Sequence, residues 1–352
     1  MAHDRIDVGG EAVDRQSVKM AREIHRILFL RTDRIGDVLM NLPAIHLLRQ
    51  TFPKAWLAVC LSDFVADLLK GHPDIDELMI VDTKKMEADF GYRWQLILRV
   101  RKARFDLALV SNPDKFLHSL VFLAGIPQRI GYKRKWSFLL NKTMIDNKSN
   151  GARHEMDLNL DLVSLASDKA WDGTIRLPVD FAASTHLENL LAKDGLSHQD
   201  ILAVHVGTSN PEKRWSAKSF AKLCDLVQSD GSLRVVLVGG VEEKTYSSDV
   251  ASLSQRPLID WTGLLKLQDL AALFNHPRVR ALVSSDSGPV HIAWISGTPV
   301  VALYAKNAAG SNPARWGPRD HRSEVIYKSM KDISADEVYA SLRNVLQKCG
   351  KT

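Results

Sequence analysis

The stretch Ser284-Ser285-Asp286-Ser287-Gly288-Pro289-Val290-His291 decides the fold. It follows the apolar run Arg280–Val283, typical of a buried strand, and leads into Ile292–Ile295, which indicates a short helix. A strand that turns at small polar residues into a helix presents free backbone N–H groups and partial positive charge at one point. The turn is therefore a candidate anion site, with aspartate, serine and histidine side chains that can bind a hydroxyl or a phosphate. An ordinary strand-to-helix turn with polar caps explains the same residues.

The same alternation of apolar run and helical spacing recurs along the chain. It predicts open α/β sheets of parallel strands wound on both faces, in which ligands bind at the carboxyl ends of the strands. The loops that follow strands in both halves are therefore expected to face one cleft. The predicted strands are 25–30, 56–61, 78–81, 107–110 and 129–132 in the first half, and 201–206, 234–238, 258–260, 280–283 and 300–304 in the second.

The chain has 352 residues, enough for two domains that each bury a core. A helical segment ended by Asp194-Gly195 separates the two alternating halves. We predict a disordered leader at 1–23, a first Rossmann-like domain at 24–180, a linker helix at 181–199, a second Rossmann-like domain at 200–332 and a C-terminal helix at 333–352.

Composition indicates a protein of the cytoplasm. No apolar run approaches the roughly 18 residues that span a bilayer, and the N-terminus has no apolar segment typical of a secretory signal. Cys60, Cys224 and Cys349 are far apart, without disulfide or zinc spacing, as expected in a reducing compartment.

Basic residues cluster at two places in the first half, within a formal net charge of +6. Such clusters suit an anionic partner such as a phosphorylated lipid head, an acidic sugar or a nucleic acid, although solvated faces are the more common explanation of either cluster taken singly. The sequence has no helix-turn-helix, RNP or zinc-finger pattern that would support a nucleic-acid-binding module, so we expect no nucleic-acid partner. The first cluster is Arg93, Arg99, Arg101, Lys102 and Arg104, and the second is Arg129, Lys133, Arg134, Lys135, Lys142 and Lys148.

Asp37, which follows the first strand beside Gly36, is a candidate general base for a substrate hydroxyl. Asp33 is the nearby competitor, and a helix N-cap is the structural alternative for Asp37. Lys213 precedes a helix after a strand and loop, where an ammonium can neutralise a departing phosphate. Arg214 is its neighbour and competitor, and an exposed lysine is the alternative.

An acidic residue just past the Gly239-Gly240 pair stands where doubly wound folds bind a ribose diol. Glu242 and Glu243 are equally placed on physical grounds. The chain has no GxGxxG turn, Walker loop, HExxH or GxSxG motif, which disfavours nicotinamide, NTPase, zinc-protease and esterase chemistry.

With these loops in view, the chain resembles glycosyltransferase family 9, the heptosyltransferases that build the inner core of lipopolysaccharide. The similarity spans roughly residues 26–346 and keeps the order and spacing of the family's motifs. Those motifs are Arg31–Asp37 with Pro43-Ala44, Lys213-Arg214-Trp215, Gly240-Val241-Glu242, Thr262-Gly263 and Asp286–His291.

The resemblance implies a GT-B fold and an inverting, metal-independent transfer from a nucleotide sugar such as ADP-heptose, with no cofactor. It implies Asp37 as the general base and Lys213 as the group that binds the donor phosphates. The expected donor-binding residues are Thr208, Ser209, Lys213, Glu242, Thr262, Gly263, Asp286, Ser287, Gly288 and His291. The expected acceptor-binding residues, for an anionic glycan or glycolipid, are Arg34, Arg129, Lys133 and Arg134.

The chain departs from the family pattern at Ser287, where threonine is common, and in the loop 305–316, which lacks the usual Gly-Pro-Thr-like turn. Two rival interpretations remain: a sugar-nucleotide epimerase or hydrolase on the same fold, and a non-catalytic basic module. For the transferase we expect a cytoplasmic enzyme with peripheral contact at the inner face of the bacterial inner membrane.

Overall fold

The computed structural model describes residues 23–350, which form two parallel six-stranded sheets with interleaved helices. The leader predicted at 1–23 lies outside the described residues except for Glu23. Among the residues described, we find no helix with the length and apolar character that crossing a bilayer requires.

The first sheet and its helices come from the N-terminal half. The strands are β1 (Arg26–Leu30), β2 (Trp56–Ser62), β3 (Glu77–Val81), β4 (Leu107–Val110), β5 (Gln128–Lys133) and β6 (Lys142–Ile145). The helices are α1 (Ile35–Leu39), α2 (Leu42–Thr51), α3 (Asp63–Ala66), α4 (Thr83–Ala88), α5 (Phe90–Ala103), α6 (Lys115–Leu123) and α7 (Glu155–Ser164). The strand order is β3-β2-β1-β4-β5-β6.

The second sheet repeats this plan. Its strands are β7 (Ile201–His205), β8 (Arg234–Val238), β9 (Ile259–Asp260), β10 (Val279–Ser285), β11 (Val300–Ala305) and β12 (Glu324–Lys328). The helices are α8 (Phe181–Lys193), α9 (Ala217–Asp230), α10 (Lys244–Leu253), α11 (Leu267–Asn275), α12 (Gly288–Ile295), α13 (Pro313–Trp316) and α14 (Ala335–Cys349). The strand order is β12-β11-β10-β7-β8-β9.

In each sheet the strand order reverses beside the first strand, between β1 and β4 and between β7 and β10. Crossovers leave these neighbouring strands toward opposite faces, which opens a crevice at their carboxyl ends. The loops after β1, β7 and β10 therefore lie at the two points where this fold binds ligands.

Local sequence explains the regular elements. β7 is apolar up to its last residue and buried throughout, as a central parallel strand must be. α9 begins where the Ser216 hydroxyl accepts a hydrogen bond from the Ser219 amide at 3.1 Å, and it ends at Gly231 with φ of 74°. The predicted central strands are confirmed within a few residues.

The prediction that Arg129–Tyr132 is the last strand of the first sheet is wrong, because β6 follows it at the sheet edge. α4, α7, α10 and β12 were also not predicted. The segment predicted as a linker helix is α8, which packs against α11 of the second half. α14 packs against α9 and β10. One apolar core is continuous between the two halves.

Candidate active site

A cavity of about 1460 Å³ lies between the two halves. It is lined by loops that follow strands of both sheets, so the expected single cleft is present. The predicted site residues that line it are Arg34, Asp37, Thr208, Ser209, Lys213, Glu242, Asp286, Ser287, Gly288 and His291.

On the wall of the first half, the buried Arg31 side chain organises two carboxylates. Its guanidinium donates to Asp33 at 2.6 Å, to Asp37 and to the Ser111 carbonyl at 3.0 Å. Burial alone would lower the pKa of Arg31, but neighbouring carboxylates outweigh that effect and raise it. Arg31 is therefore a permanent cation that fixes where both aspartates point.

Asp37 is the third residue of α1, and the N-cap of that helix is Arg34. The N-cap alternative for Asp37 is therefore wrong. The Asp37 carboxylate binds Arg31 and lines the cavity, while its backbone carbonyl accepts from the Asn41 amide at 2.7 Å. Asp33 also lines the cavity, and burial together with the charge of Asp37 raises the pKa of Asp33.

On the opposite wall, Lys213 and Asp286 form an ion pair, with Nζ 2.7 Å from Oδ2. They are brought together from the loop after β7 and the turn after β10. The Ser287 hydroxyl lies 3.0 Å from that of Ser284 and 3.2 Å from Nδ1 of His205. α12 begins at the next residue, Gly288. The Lys213 ammonium, the Ser287 hydroxyl and the free backbone N–H groups at the start of α12 therefore share this wall.

His291 lies where the two walls meet. It is 5% exposed, and within the described part of the chain its Nδ1 has no hydrogen-bond partner. Burial lowers the pKa of His291, although the charges of Asp286 and Asp37 oppose the shift, so the imidazole is neutral at pH 7. Because the carboxylates of Asp37 and Asp286 are both near enough to influence the pKa of His291, the two walls are close at this point.

The model of glycosyltransferase family 9 (heptosyltransferase) matches residues 93–342 of the chain. The chain belongs to this family. The matched range begins inside α5, so it contains the Lys213–Asp286 pair but not Asp37.

Individual relatives extend the likeness to most of the chain. The lipopolysaccharide heptosyltransferase 2 of Escherichia coli K12 is 25% identical over 345 residues, covering 91% of this chain and 94% of that protein. The solved family 9 glycosyltransferase of Veillonella parvula has a TM-score of 0.83 at 23% identity, covering 93% and 99% of the two chains. The E. coli ADP-heptose lipopolysaccharide heptosyltransferase II has a TM-score of 0.77 at 22% identity, covering 92% and 99%. These structures confirm the GT-B fold.

In this glycosyltransferase the two candidate ribose-binding acids differ in surroundings. Glu243 accepts from the Gly240 amide at 2.7 Å and lies 3.4 Å from Nε2 of His205. Burial alone would raise the pKa of Glu243, but His205 and the Gly240 amide lower it. Glu242 is exposed and lines the cavity, and no described residue forms a hydrogen bond with its carboxylate. Glu242 is thus the acid with its carboxylate available to a ligand.

Some predicted residues do not reach the cavity. The Thr262 hydroxyl donates to Ser247 at 3.0 Å, and the Gly263 amide donates to the Gly239 carbonyl at 2.8 Å. Neither residue lines the cleft, although Gly239 does. Ligand contacts by Thr262 and Gly263 stay predictions.

Of the basic residues predicted for the acceptor, only Arg34 lines the cavity. Arg129 lies near the amino end of β5, away from the cleft, and donates to the Ile126 and Leu139 carbonyls at 2.5 and 2.8 Å. The Arg129 guanidinium thus holds its own loop, and an acceptor contact by Arg129 stays a prediction. Arg134 pairs with Asp146 at 3.2 Å and Lys133 is exposed; their acceptor contacts stay predictions.

Sequence reasoning missed a buried ionic cluster behind the cleft. The fully buried Glu155 binds Lys148 and Arg315, with Arg31 at 3.6 Å. Burial alone would raise the pKa of Glu155, but its three cationic neighbours lower it. Arg315 and Trp316 line the cavity from the loop that departs from the family pattern. The sequence feature that pointed to this cluster was Arg31, which belongs to the first motif, Arg31–Asp37.

His205 was also missed. It is the last residue of β7, lines the cavity and bonds Ser284 on the neighbouring strand at 3.0 Å. The rule that ligands bind at the carboxyl ends of strands would have selected it.

Proposed function

We propose that this glycosyltransferase moves a heptose-type sugar from ADP-heptose to a lipopolysaccharide-core or related glycan, with inversion and without a metal ion. The name of the E. coli relative and its similar fold support the substrates. The observation that carries the proposal is that Asp37 and the Lys213–Asp286 pair line one cavity from opposite halves. The first half, about 24–180, would bind the acceptor, and the second, about 200–332, the nucleotide sugar.

The wall of the second half suits a nucleoside diphosphate. Lys213 and the N-terminus of α12 supply positive charge for the two phosphates, and Glu242 has a carboxylate available for a ribose diol. Asp286, which holds the Lys213 ammonium, can also accept from sugar hydroxyls. Thr208 and Ser209 line the same wall and add hydroxyl donors.

The wall of the first half suits proton removal. The acceptor hydroxyl attacks the anomeric carbon in line, the new carbon–oxygen bond forms, and the proton passes to Asp37. The bond from the anomeric carbon to the phosphate oxygen breaks, and its electron pair leaves with ADP. The positive groups around Lys213 stabilise the charge that develops on the diphosphate. A single displacement from the face opposite the phosphate inverts the anomeric centre.

The acceptor we infer is anionic and lipid-linked, so the enzyme would work at the inner surface of the cytoplasmic membrane. Arg34 lines the cavity beside Asp37 and can meet a carboxylate or phosphate of the acceptor. Lys133 is the last residue of β5 and Arg134 follows it, so both would contact the acceptor further out.

ADP release, measured with and without acceptor, tests the proposal. We expect release to require the acceptor and the product to gain one heptose by mass spectrometry. Lys213→Ala should weaken donor binding and lower kcat by about 10²-fold, because a preorganised positive group is removed. Lys218→Ala, an exposed lysine on α9 outside the cavity, is the matched control. Release at the same rate without acceptor would instead support a hydrolase or an epimerase.

A further inference from the structure

One outer face of the first half exposes large apolar side chains. Phe90, Trp94 and Leu98 of α5 are 79%, 50% and 48% exposed. Residues spaced by four lie above one another on a helix, so the three form a stripe along α5. The opposite face of the helix is buried in the core. α5 therefore presents an apolar stripe to solvent in addition to the apolar face that it buries.

The exposed stripe continues onto neighbouring elements. α6 packs against α5 and exposes Phe122 and Leu123 near its end. The 3-10 turn Ser137–Leu139 contacts α6, and around it Trp136 and Phe138 are 45% and 77% exposed. Large apolar side chains exposed on adjoining elements are typical of an interaction site. We call this the aromatic face: Phe90, Trp94, Leu98, Phe122, Leu123, Trp136 and Phe138.

Positive charge surrounds the aromatic face. α5 contains four basic residues and no carboxylate. Lys115 begins α6 with its Nζ 5.8 Å from the centre of the Trp136 ring. Arg99, Arg134 and Lys135 have acidic neighbours at 3.7, 3.2 and 3.9 Å. Within residues 23–350, no ion pair is formed by Arg101 or Lys102 on α5, by Lys115 or by Lys133.

The aromatic face adjoins the active-site cleft. Arg93 of α5 and Phe116 of α6 line the cavity, and the Arg93 guanidinium lies 5.4 Å from the centre of the Phe116 ring. Both residues are near the N-termini of their helices, where Phe90 also lies. A surface bound to the aromatic face would therefore reach the mouth of the cleft.

We propose that the aromatic face docks on an anionic phospholipid bilayer. A helix with exposed aromatic and aliphatic side chains beside lysine and arginine is the arrangement that lies in the interface of such a membrane. A second copy of the chain fits poorly, because a symmetric interface would set this cationic patch against itself. That the docked enzyme acts on an acceptor held in the same bilayer rests on the proposed function; the docking does not.

Cosedimentation with lipid vesicles tests the docking. The full chain should bind vesicles of phosphatidylcholine and phosphatidylglycerol in equal parts, bind pure phosphatidylcholine far more weakly, and dissociate as salt rises. Leu98→Asp should weaken binding at least about tenfold. Arg101→Glu changes the charge by two units and should weaken binding roughly 25-fold, since each charge near the surface contributes about fivefold.

Matched controls lie on the second half. Phe181→Asp changes a side chain that is 85% exposed at the start of α8, and Lys218→Glu reverses an exposed charge on α9. Neither should change vesicle binding. If circular dichroism shows that Leu98→Asp is unfolded, Trp94→Gln replaces it with the same expectation.

Three outcomes would overturn the docking. The first is a parent that does not prefer anionic vesicles, and the second is an equal loss of vesicle binding in the control variants. The third is a parent that forms a dimer and binds no vesicles, with Leu98→Asp dissociating that dimer. Transfer to a water-soluble, deacylated acceptor should be the same for the parent and Leu98→Asp. A parent that binds vesicles but transfers no sugar would refute the proposed function alone, because this binding assay contains neither donor nor acceptor.

Discussion

At the scale of single residues, the active site depends on one buried cation. Arg31 holds Asp33 and Asp37 and lies 3.6 Å from Glu155. A short side chain such as Asp37 can rotate freely at a cleft surface unless a second group fixes it. Arg31 supplies that group from inside the fold, so we assign it as a positioning residue.

Replacing Arg31 should affect catalysis more than donor binding. We expect Arg31→Ala to lower kcat about 10²-fold with little change in the KM for the donor, because the misplaced base loses its aligned geometry. Arg31→Lys should recover part of the rate, since an ammonium can hold one carboxylate but lacks the fork that holds two. Steady-state kinetics and thermal melts of both variants provide the measurement, with the exposed Arg104→Ala as control. Equal rates for the alanine and lysine variants would contradict this role.

Sequence reasoning is weakest when it must choose between neighbouring residues of one motif. Glu242 and Glu243 are adjacent and chemically identical, and only the contacts of Glu243 with Gly240 and His205 separate them. The partner of Lys213 is 73 positions away in the sequence, so no local pattern selects Asp286 for it. The motifs were predictable because each follows an apolar strand; their pairings depend on tertiary contacts.

At the scale of elements, the two short helices α1 and α12 meet directly. A Cβ on Gly36 would lie 2.6 Å from the His291 ring, and one on Gly288 would lie 3.2 Å from Ile35. The glycines of the two sequence motifs thus lie where α1 and α12 pack directly against each other. This contact places Asp37, one residue after Gly36, opposite the wall that carries Lys213 and Asp286.

Gly36→Ala should disturb this junction. The added methyl has no room unless the His291 ring moves, so we expect a loss of about 1–3 kcal/mol in the free energy of unfolding and a large fall in kcat. Urea denaturation and transfer rates measure the two effects. Gly350→Ala, where the nearest atom is 3.7 Å away, should change neither. A Gly36→Ala enzyme with normal stability and rate would show that the halves do not meet this way.

The elements that were predicted share one property, which is a continuous apolar run. β4 and β7 are buried along their whole length and were predicted to within one residue. β6 and β12 are edge strands with alternating exposure and lysine at one end, which weakens that signal. α10 buries only Ser247 and Val250, so its sequence has no apolar stripe.

At the scale of the whole molecule, α7 links the two halves behind the cleft. Nε2 of His154 lies 2.9 Å from the Gly317 carbonyl, and Arg319 binds both carboxylate oxygens of Asp157. On the far side, the Gln268 amide donates to the carbonyls of Asp67 and Leu68 at 2.9 and 3.2 Å. These contacts fix the relative position of the sheets, and any closure of the cleft must bend or break them.

His154 makes this linkage sensitive to pH. Burial lowers the pKa of His154 from 6.5 to about 4, so protonation favours the unfolded chain. Its contribution to stability is complete above pH 6.5 and is lost as the pH falls from 6.5 toward 4, by about 2 kcal/mol at pH 5. Urea denaturation at pH 7.5 and pH 5 should show a smaller loss for His154→Gln than for the parent. Identical losses would mean that His154 titrates normally in the folded state.

In the proposed mechanism, one carboxylate of the first half takes the acceptor's proton while the second half holds the donor. The most direct test is Asp37→Asn, which keeps the size of the side chain and removes its basicity. We predict that kcat falls about 10³-fold while the dissociation constant for ADP, measured by calorimetry, stays within about twofold. Asp33→Asn, which changes the neighbouring aspartate of the cleft, should lower kcat much less. Transfer by Asp37→Asn at the parent rate, or a greater fall in kcat for Asp33→Asn, would refute Asp37 as the general base.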